Sequence, residues 1–161
     1  GSADVDLFAA VAAQVEERLE ELNLYDVKQL LKAFALVGYR AEGMLSALSE
    51  QLVAWRRDLL VNQVVIAICA LSRLDGPSEP ACRAIGELAI SVAGEMTARE
   101  IADVALALAA FRPGIFEQRD IALLRPPFAS HGPQVSHRLL VDLFQVELLF
   151  QTTEAQPLLM S

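Results

Sequence analysis

The stretch LLKAFALVGY at residues 30–39 returns in altered form 37 residues later as AICALSRLDG, and 37 later again as VALALAAFRP. A fixed period of this length restricts the fold more than any composition does, because each copy must solve the same packing problem as its neighbours. Written in rows of 37, the chain forms apolar columns. Phe8, Leu45 and Cys82 share one column, and Val11, Leu48 and Ile85 share another. Val15, Leu52 and Ala89 follow, then Leu22, Leu59 and Met96. Spacings of three, four and seven put these positions on one helical stripe, the first helix of each unit.

The second helix repeats more closely. Its columns are Val27/Val64/Ile101, Leu30/Ala67/Val104, Leu31/Ile68/Ala105, Phe34/Leu71/Leu108 and Val37/Leu74/Phe111. Ala33, Ala70 and Ala107 keep one small residue in place, which lets neighbouring helices approach closely. Asn23 with Asp26, and Thr97 with Glu100, read as N-caps with an acidic residue three positions on. In the middle unit Leu60 stands at the cap, with Gln63 three residues later, and Asp58 is expected to cap from slightly earlier. GYRAEG, DGPSEP and RPG close the second helices with Gly/Pro breaks, and Ser78 is placed to cap the next first helix. Each unit is therefore a helix of roughly 15–18 residues, a tight turn and a helix of about 14, an αα-hairpin. One hairpin cannot bury its own apolar face, so the units must stack.

The period fails after residue 113. Residues 115–134 are rich in proline, and Arg125–Pro126–Pro127 must end any helix begun near Ile115. Residues 135–150, VSHRLLVDLFQVELLF, regain a helical stripe, and 151–161 read as a loose tail. The units are expected at 3–39, 40–76 and 77–113 of a single domain spanning 3–161, with an irregular cap at 114–150. Gly1–Ser2 reads as a cloning scar and is set aside.

A 37-residue αα unit whose second helix reads NLYDVKQLLKAFALVGYR resembles the heptatricopeptide repeats and the related octotricopeptide and FAST-kinase-like repeats. The second and third units keep the alanine column but carry Asp75–Gly76 and Arg112–Pro113 where the first has Gly38–Tyr39. The resemblance covers residues 6 to about 114 and implies a mitochondrial or plastid protein concerned with RNA or ribosomes. The expected architecture is all-α: a right-handed α-solenoid of about three 37-residue αα-hairpins plus a degenerate C-terminal helical cap.

Composition narrows the function classes. Hydrophobic residues make 54% of the chain, above the about 45–50% of ordinary domains. No apolar run is longer than Val64–Leu71, which is far short of the roughly 20 residues of a membrane span. Cys69 and Cys82 sit in apolar helical patterns, as packed thiols in a reducing compartment do. The net charge of −8 gives no overall basic face, and eleven of the thirteen basic residues are Arg.

No catalytic set, phosphate loop, metal-spaced cluster or cofactor motif is found, and the reading is of a non-enzyme. His131 and His137 stand apart from Cys or carboxylate partners. Glu16, Glu17, Glu20 and Glu21 read as a solvated acidic face, or as a dock for a basic partner. The binding candidates form a ladder, Tyr25, Asn62 and Arg99, at the first turn of each second helix. Stacked repeats can present one such side chain per nucleotide: Tyr to stack, Asn to pair with an edge, Arg to grip phosphate. First-turn residues are also simply exposed and free to vary. Arg56 and Arg57, beside Trp55, offer a second candidate, against the plainer role of cations at a helix C-terminus. Two functions follow: an RNA-binding module of organellar RNA metabolism or a ribosome-associated complex, or a protein–protein scaffold without RNA contact. Exposed repeat ends would favour self-association.

Overall fold

The computed structural model describes residues 2–131 apart from Pro77 and Pro113. The expected cap helix at 135–150, His137 and the tail at 151–161 lie outside the described residues. Within them the chain forms α1 (Ser2–Glu17), α2 (Leu24–Val37), α3 (Glu42–Ala54), α4 (Val61–Arg73), α5 (Glu79–Ser91), α6 (Ala98–Ala110), α7 (Gln118–Ala122) and α8 (Arg125–Ala129). First helices stack on first helices, α1 on α3 on α5, and second helices on second helices, α2 on α4 on α6. The result is a two-layered α-solenoid. Val27, Val64 and Ile101 occupy equivalent buried places, as do Leu31 with Ile68, and Phe34 with Leu71 and Leu108.

The 37-residue period reaches the backbone. Inside each hairpin turn the chain winds down through an i→i+3 bond: the N–H groups of Glu21, Asp58 and Glu95 donate to the carbonyls of Arg18, Trp55 and Val92. These bonds shorten the first helix, so α3 and α5 have 13 residues each rather than 15–18. The second helices then open on caps. Asn23 Oδ1 accepts from the N–H groups of Tyr25 and Asp26, and Thr97 Oγ1 from that of Glu100. In return Asp26 and Glu100 carboxylates accept from the Asn23 and Thr97 N–H groups. In the middle unit Leu60 offers no side-chain acceptor, and only the returning bond forms, Leu60 N–H to Gln63 Oε1 at 2.9 Å. Asp58 does not cap α4, contrary to expectation. Gln63 lies three residues into the helix and reaches the orphan N–H first. Ser78 caps α5, its Oγ accepting from Ala81 N–H.

Two of the second helices, α2 and α4, end alike despite different residues, whereas α6 ends on Phe111 in an extended conformation. Gly38 has φ 72° and Asp75 has φ 49°, the left-handed conformation that closes a helix. The following residues, Tyr39 and Gly76, donate to the carbonyls of Phe34 and Leu71. Asp tolerates this backbone better than most side chains. Its carboxylate is also held from both neighbouring turns, by Arg40 at 3.0 Å and Arg112 at 3.1 Å. Arg112 donates to the Gly76 carbonyl as well. This ladder ties one edge of the stack, although half-exposed pairs of this kind contribute at most about 1 kcal/mol each.

Beyond α6 the chain folds back as a cap. Ile115, Ile121 and Leu124 are buried, and α7 and α8 lie on α6. Pro126 and Pro127 do not terminate a longer helix. α7 has already ended at Ala122, and the prolines form the first turn of α8, where no N–H is required. Arg83 fastens the cap to α5: it donates to the Ile115 carbonyl at 2.6 Å, and its guanidinium lies 5.9 Å from the Phe116 ring centroid. The ring itself sits where a side chain at Gly86 would be. A Cβ there would stand 2.2 Å from Phe116 Cζ and 3.0 Å from Leu108 Cδ2.

Cys69 and Cys82 are free thiols. Burial pushes both up to about 11 from an ordinary 9.0. Cys69 Sγ points to the Asp103 carbonyl at 3.7 Å, and Ser72 Oγ donates to the Ala107 carbonyl at 2.8 Å, so polar atoms of α4 are satisfied by α6.

Replacing Gly86→Ala should displace the Phe116 ring and cost about 1–3 kcal/mol, read as a lower urea midpoint; an unchanged midpoint would show that this contact does not hold the cap. Iodoacetamide should alkylate both thiols roughly a hundredfold more slowly near neutral pH than in the unfolded chain, because the thiolate is the reactive form. The rate should climb as pH rises towards 11, and mass spectrometry that found rapid labelling of the folded protein at neutral pH would contradict the burial of these groups.

Candidate nucleic-acid interface

The two layers differ in charge. Among helix residues, α1, α3 and α5 carry the carboxylates Asp4, Asp6, Glu16, Glu17, Glu42, Glu50, Glu79 and Glu87, against the single cation Arg83. Second helices α2, α4 and α6 carry Lys28, Lys32, Arg73 and Arg99 against Asp26, Glu100 and Asp103. Asp26 and Glu100 are engaged in the caps. The negative charge of the chain is therefore concentrated on one layer, and the outer face of the other bears most of its helical cations.

That outer face holds a groove of about 460 Å³ running across three helices. Lys32 borders it from α2, Ile66, Cys69 and Arg73 from α4, and Arg99 and Leu106 from α6. The repeat explains the position. Residues 32, 69 and 106 form one column, on the side of the helix opposite the buried stripe of Val27, Leu31 and Phe34. The groove floor is apolar and small-residue-rich, with Ala35, Ala70 and Ala107 among its lining. Arg99 pairs with Asp103 one turn on at 3.1 Å, so one of its cationic edges is already engaged at the groove rim.

Tyr25, Asn62 and Arg99 are all exposed, each in the first turn of its helix. Only Arg99 of the three borders the groove. Tyr25 is committed locally: its hydroxyl accepts from Gln29 Nε2 at 3.1 Å, and Lys28 Nζ lies 4.9 Å from its ring centroid. Arg56 and Arg57 are exposed in the turn between α3 and α4, just past the end of α3 at Ala54 rather than in its last turn. Arg56 donates to the Val53 carbonyl at 3.0 Å, closing the helix end. Trp55 is half-buried and packs on the core.

Lys32, Cys69 and Arg73 are groove residues that the ladder reading overlooked. Their signal was present in the sequence as the columns facing away from the apolar stripe. The acidic stretch at Glu16–Glu21 lies on the far layer. There Arg18 pairs with Glu21, and the hydrogen bond it donates holds the Glu21 carboxyl below the usual range. Glu16 reaches across to Gly43 of α3, where its carboxylate occupies the space a Cβ would need. Among the described residues no group of three His, Cys, Asp or Glu is placed to hold a metal ion, and no helix is long and apolar enough to cross a membrane.

No curated protein and no solved structure matches the chain. One family model does: that of RESC6, the RNA-editing substrate-binding complex 6 protein, over residues 3–137. The matched span takes in all three hairpins together with α7 and α8. A match that covers well over half of the chain shows that it belongs to the RESC6 family.

Proposed function

We propose that this chain is a non-enzymatic, heptatricopeptide-like helical-repeat module that binds RNA within an RNA-editing substrate-binding complex, in a mitochondrion. The family supplies the class of assembly. The observation that carries the RNA contact is the groove across α2, α4 and α6, whose Lys32, Arg73 and Arg99 stand on the one layer that is not dominated by carboxylates. A single strand laid across the stacked helices would meet a cation on each. Its bases would lie against an apolar floor, and Tyr25 and Asn62 would stand at the first-turn edge of the same layer. Arg56 and Arg57 add positive charge at that edge. Two free thiols, Cys82 buried and Cys69 half-buried, suit a reducing compartment.

A protein scaffold without RNA contact is the second reading. It is favoured by the eight carboxylates of α1, α3 and α5, which repel phosphate and would suit a basic protein surface.

Fluorescence anisotropy with single-stranded RNA separates the two. Phosphate contacts make affinity fall with salt, with a log–log slope of about −0.7 per phosphate neutralised on a single strand. The variant Lys32→Glu with Arg73→Glu should weaken binding more than tenfold and flatten that slope by about 1.4. Arg99→Glu should add to the loss. RNA affinity that these changes leave untouched would remove the groove from the mechanism, and no affinity at low salt would leave the scaffold reading.

A further inference from the structure

We infer that the groove across α2, α4 and α6 selects its strand by a guanine, whose base-pairing edge is read by the carboxylate of Asp103. Selection of this kind presupposes that the groove binds RNA, as proposed above, and names what it would recognise there. Its basis is a residue that a plain phosphate track would not contain. Among the described residues that line the groove, Lys32, Arg73 and Arg99 are cations and Asp103 is the one carboxylate. The repeat fixes their levels. On the outer face of the second helices, residues 25, 62 and 99 form one column and 29, 66 and 103 the next. Residues 32, 69 and 106 follow, then 36, 73 and 110. The acid therefore stands between Arg99 towards one end of the groove and Arg73 at the other, with the half-buried Ile66, Cys69 and Leu106 around it. Burial does most to raise the Cys69 thiol; beyond that Asp103 raises it and Arg73 lowers it, so both charges act at the same place.

A carboxylate at this level repels a passing phosphate. The backbone is left the exposed cations Lys32 and Arg73, and a base must face Asp103 instead. An ionised carboxylate only accepts hydrogen bonds, through two oxygens. Guanine is the one common base whose pairing edge carries two adjacent donors, N1–H and the N2 amine. Adenine and cytosine set a ring-nitrogen acceptor beside their one donor group, and uracil sets its single N–H between two carbonyls. Each of these brings an acceptor against the negative charge. Ile66 and Leu106 offer apolar cover to the ring. Without RNA the carboxylate is held by Arg99, whose Nε donates to Oδ2 at 3.2 Å and whose Nη2 lies 3.1 Å from Oδ1. This fork takes up the edge of the carboxylate that guanine needs. The pair is partly exposed and one helical turn apart, a kind that contributes little, so it yields readily. Guanine takes the carboxylate and Arg99 turns to the neighbouring phosphate, so both groups keep a partner through the exchange.

Anisotropy on the 161-residue chain with short oligouridylates carrying one central guanine, inosine or adenine tests this. The guanine strand should bind about tenfold more tightly than the adenine strand. Inosine keeps N1–H and lacks the amine, so it should fall between them. Asp103→Asn replaces one acceptor oxygen by a donor, and should erase the preference while leaving the salt slope set by Lys32 and Arg73 unchanged. The comparison of the three strands on the unaltered chain needs no variant to fold. Equal affinity for all three would overturn the inference, as would a guanine preference that survives Asp103→Asn. Binding that Lys32→Glu with Arg73→Glu weakens, yet without base preference, would overturn this inference alone and leave the groove as an RNA site. No binding of any strand at low salt would overturn both.

Discussion

Everything in this molecule depends on helices of successive hairpins lying close enough to share one apolar seam. The alanine column sets that closeness: Ala70 and Ala107 present almost no side chain where α4 meets α2 and α6 meets α4. Close packing lets Ile68, Leu71, Ile101 and Leu108 fill the space between layers with little exposure. It also brings polar groups of adjacent second helices into reach, so that Ser72 and Cys69 find carbonyls on α6. A larger residue in this column would push the helices apart and break both kinds of contact together.

Stability in such an array is local, because each hairpin touches only its neighbours. The ends therefore pose a problem that the middle does not. After α6 the chain departs from its own repeat: α7 and α8 are short, two prolines open α8, and Arg83 and Phe116 fasten this segment to α5. In the first hairpin, Leu7 and Val37 of the packing columns are exposed. The edge opposite the caps is secured differently, by arginines reaching from turn to turn around Asp75. These are half-exposed pairs, better suited to fixing the orientation of the turns than to supplying much free energy.

Function tracks the same geometry. A solenoid of helical hairpins offers broad faces rather than a pocket, and the charge of this chain is partitioned between them. Carboxylates collect on the first-helix layer, while the second-helix layer keeps its acids occupied in caps and in the Arg99–Asp103 pair. A net charge of −8 averaged over the whole chain conceals this partition. That is why an overall acidic balance did not by itself argue against contact with a polyanion.

The sequence alone determined the period, the helix pairs, the columns around Val27, Leu31 and Phe34 and the caps at Asn23, Ser78 and Thr97, because these rest on local propensity and on a spacing that repeats. Tyr25, Asn62 and Arg99 are exposed because first turns lie outside the core, and Arg56 and Arg57 because they fall in the turn just past α3. Only the tertiary structure decided which exposed residues share a face. Whether Lys32, Arg73 and Arg99 border one groove depends on how α2, α4 and α6 lie against one another, and the spacing along the chain does not encode that angle. The same holds for the end of the molecule. Pro126 and Pro127 announced a break in the helix, but their place at the start of α8, rather than at the end of α7, was set by Ile121 and Leu124 finding cover against α6.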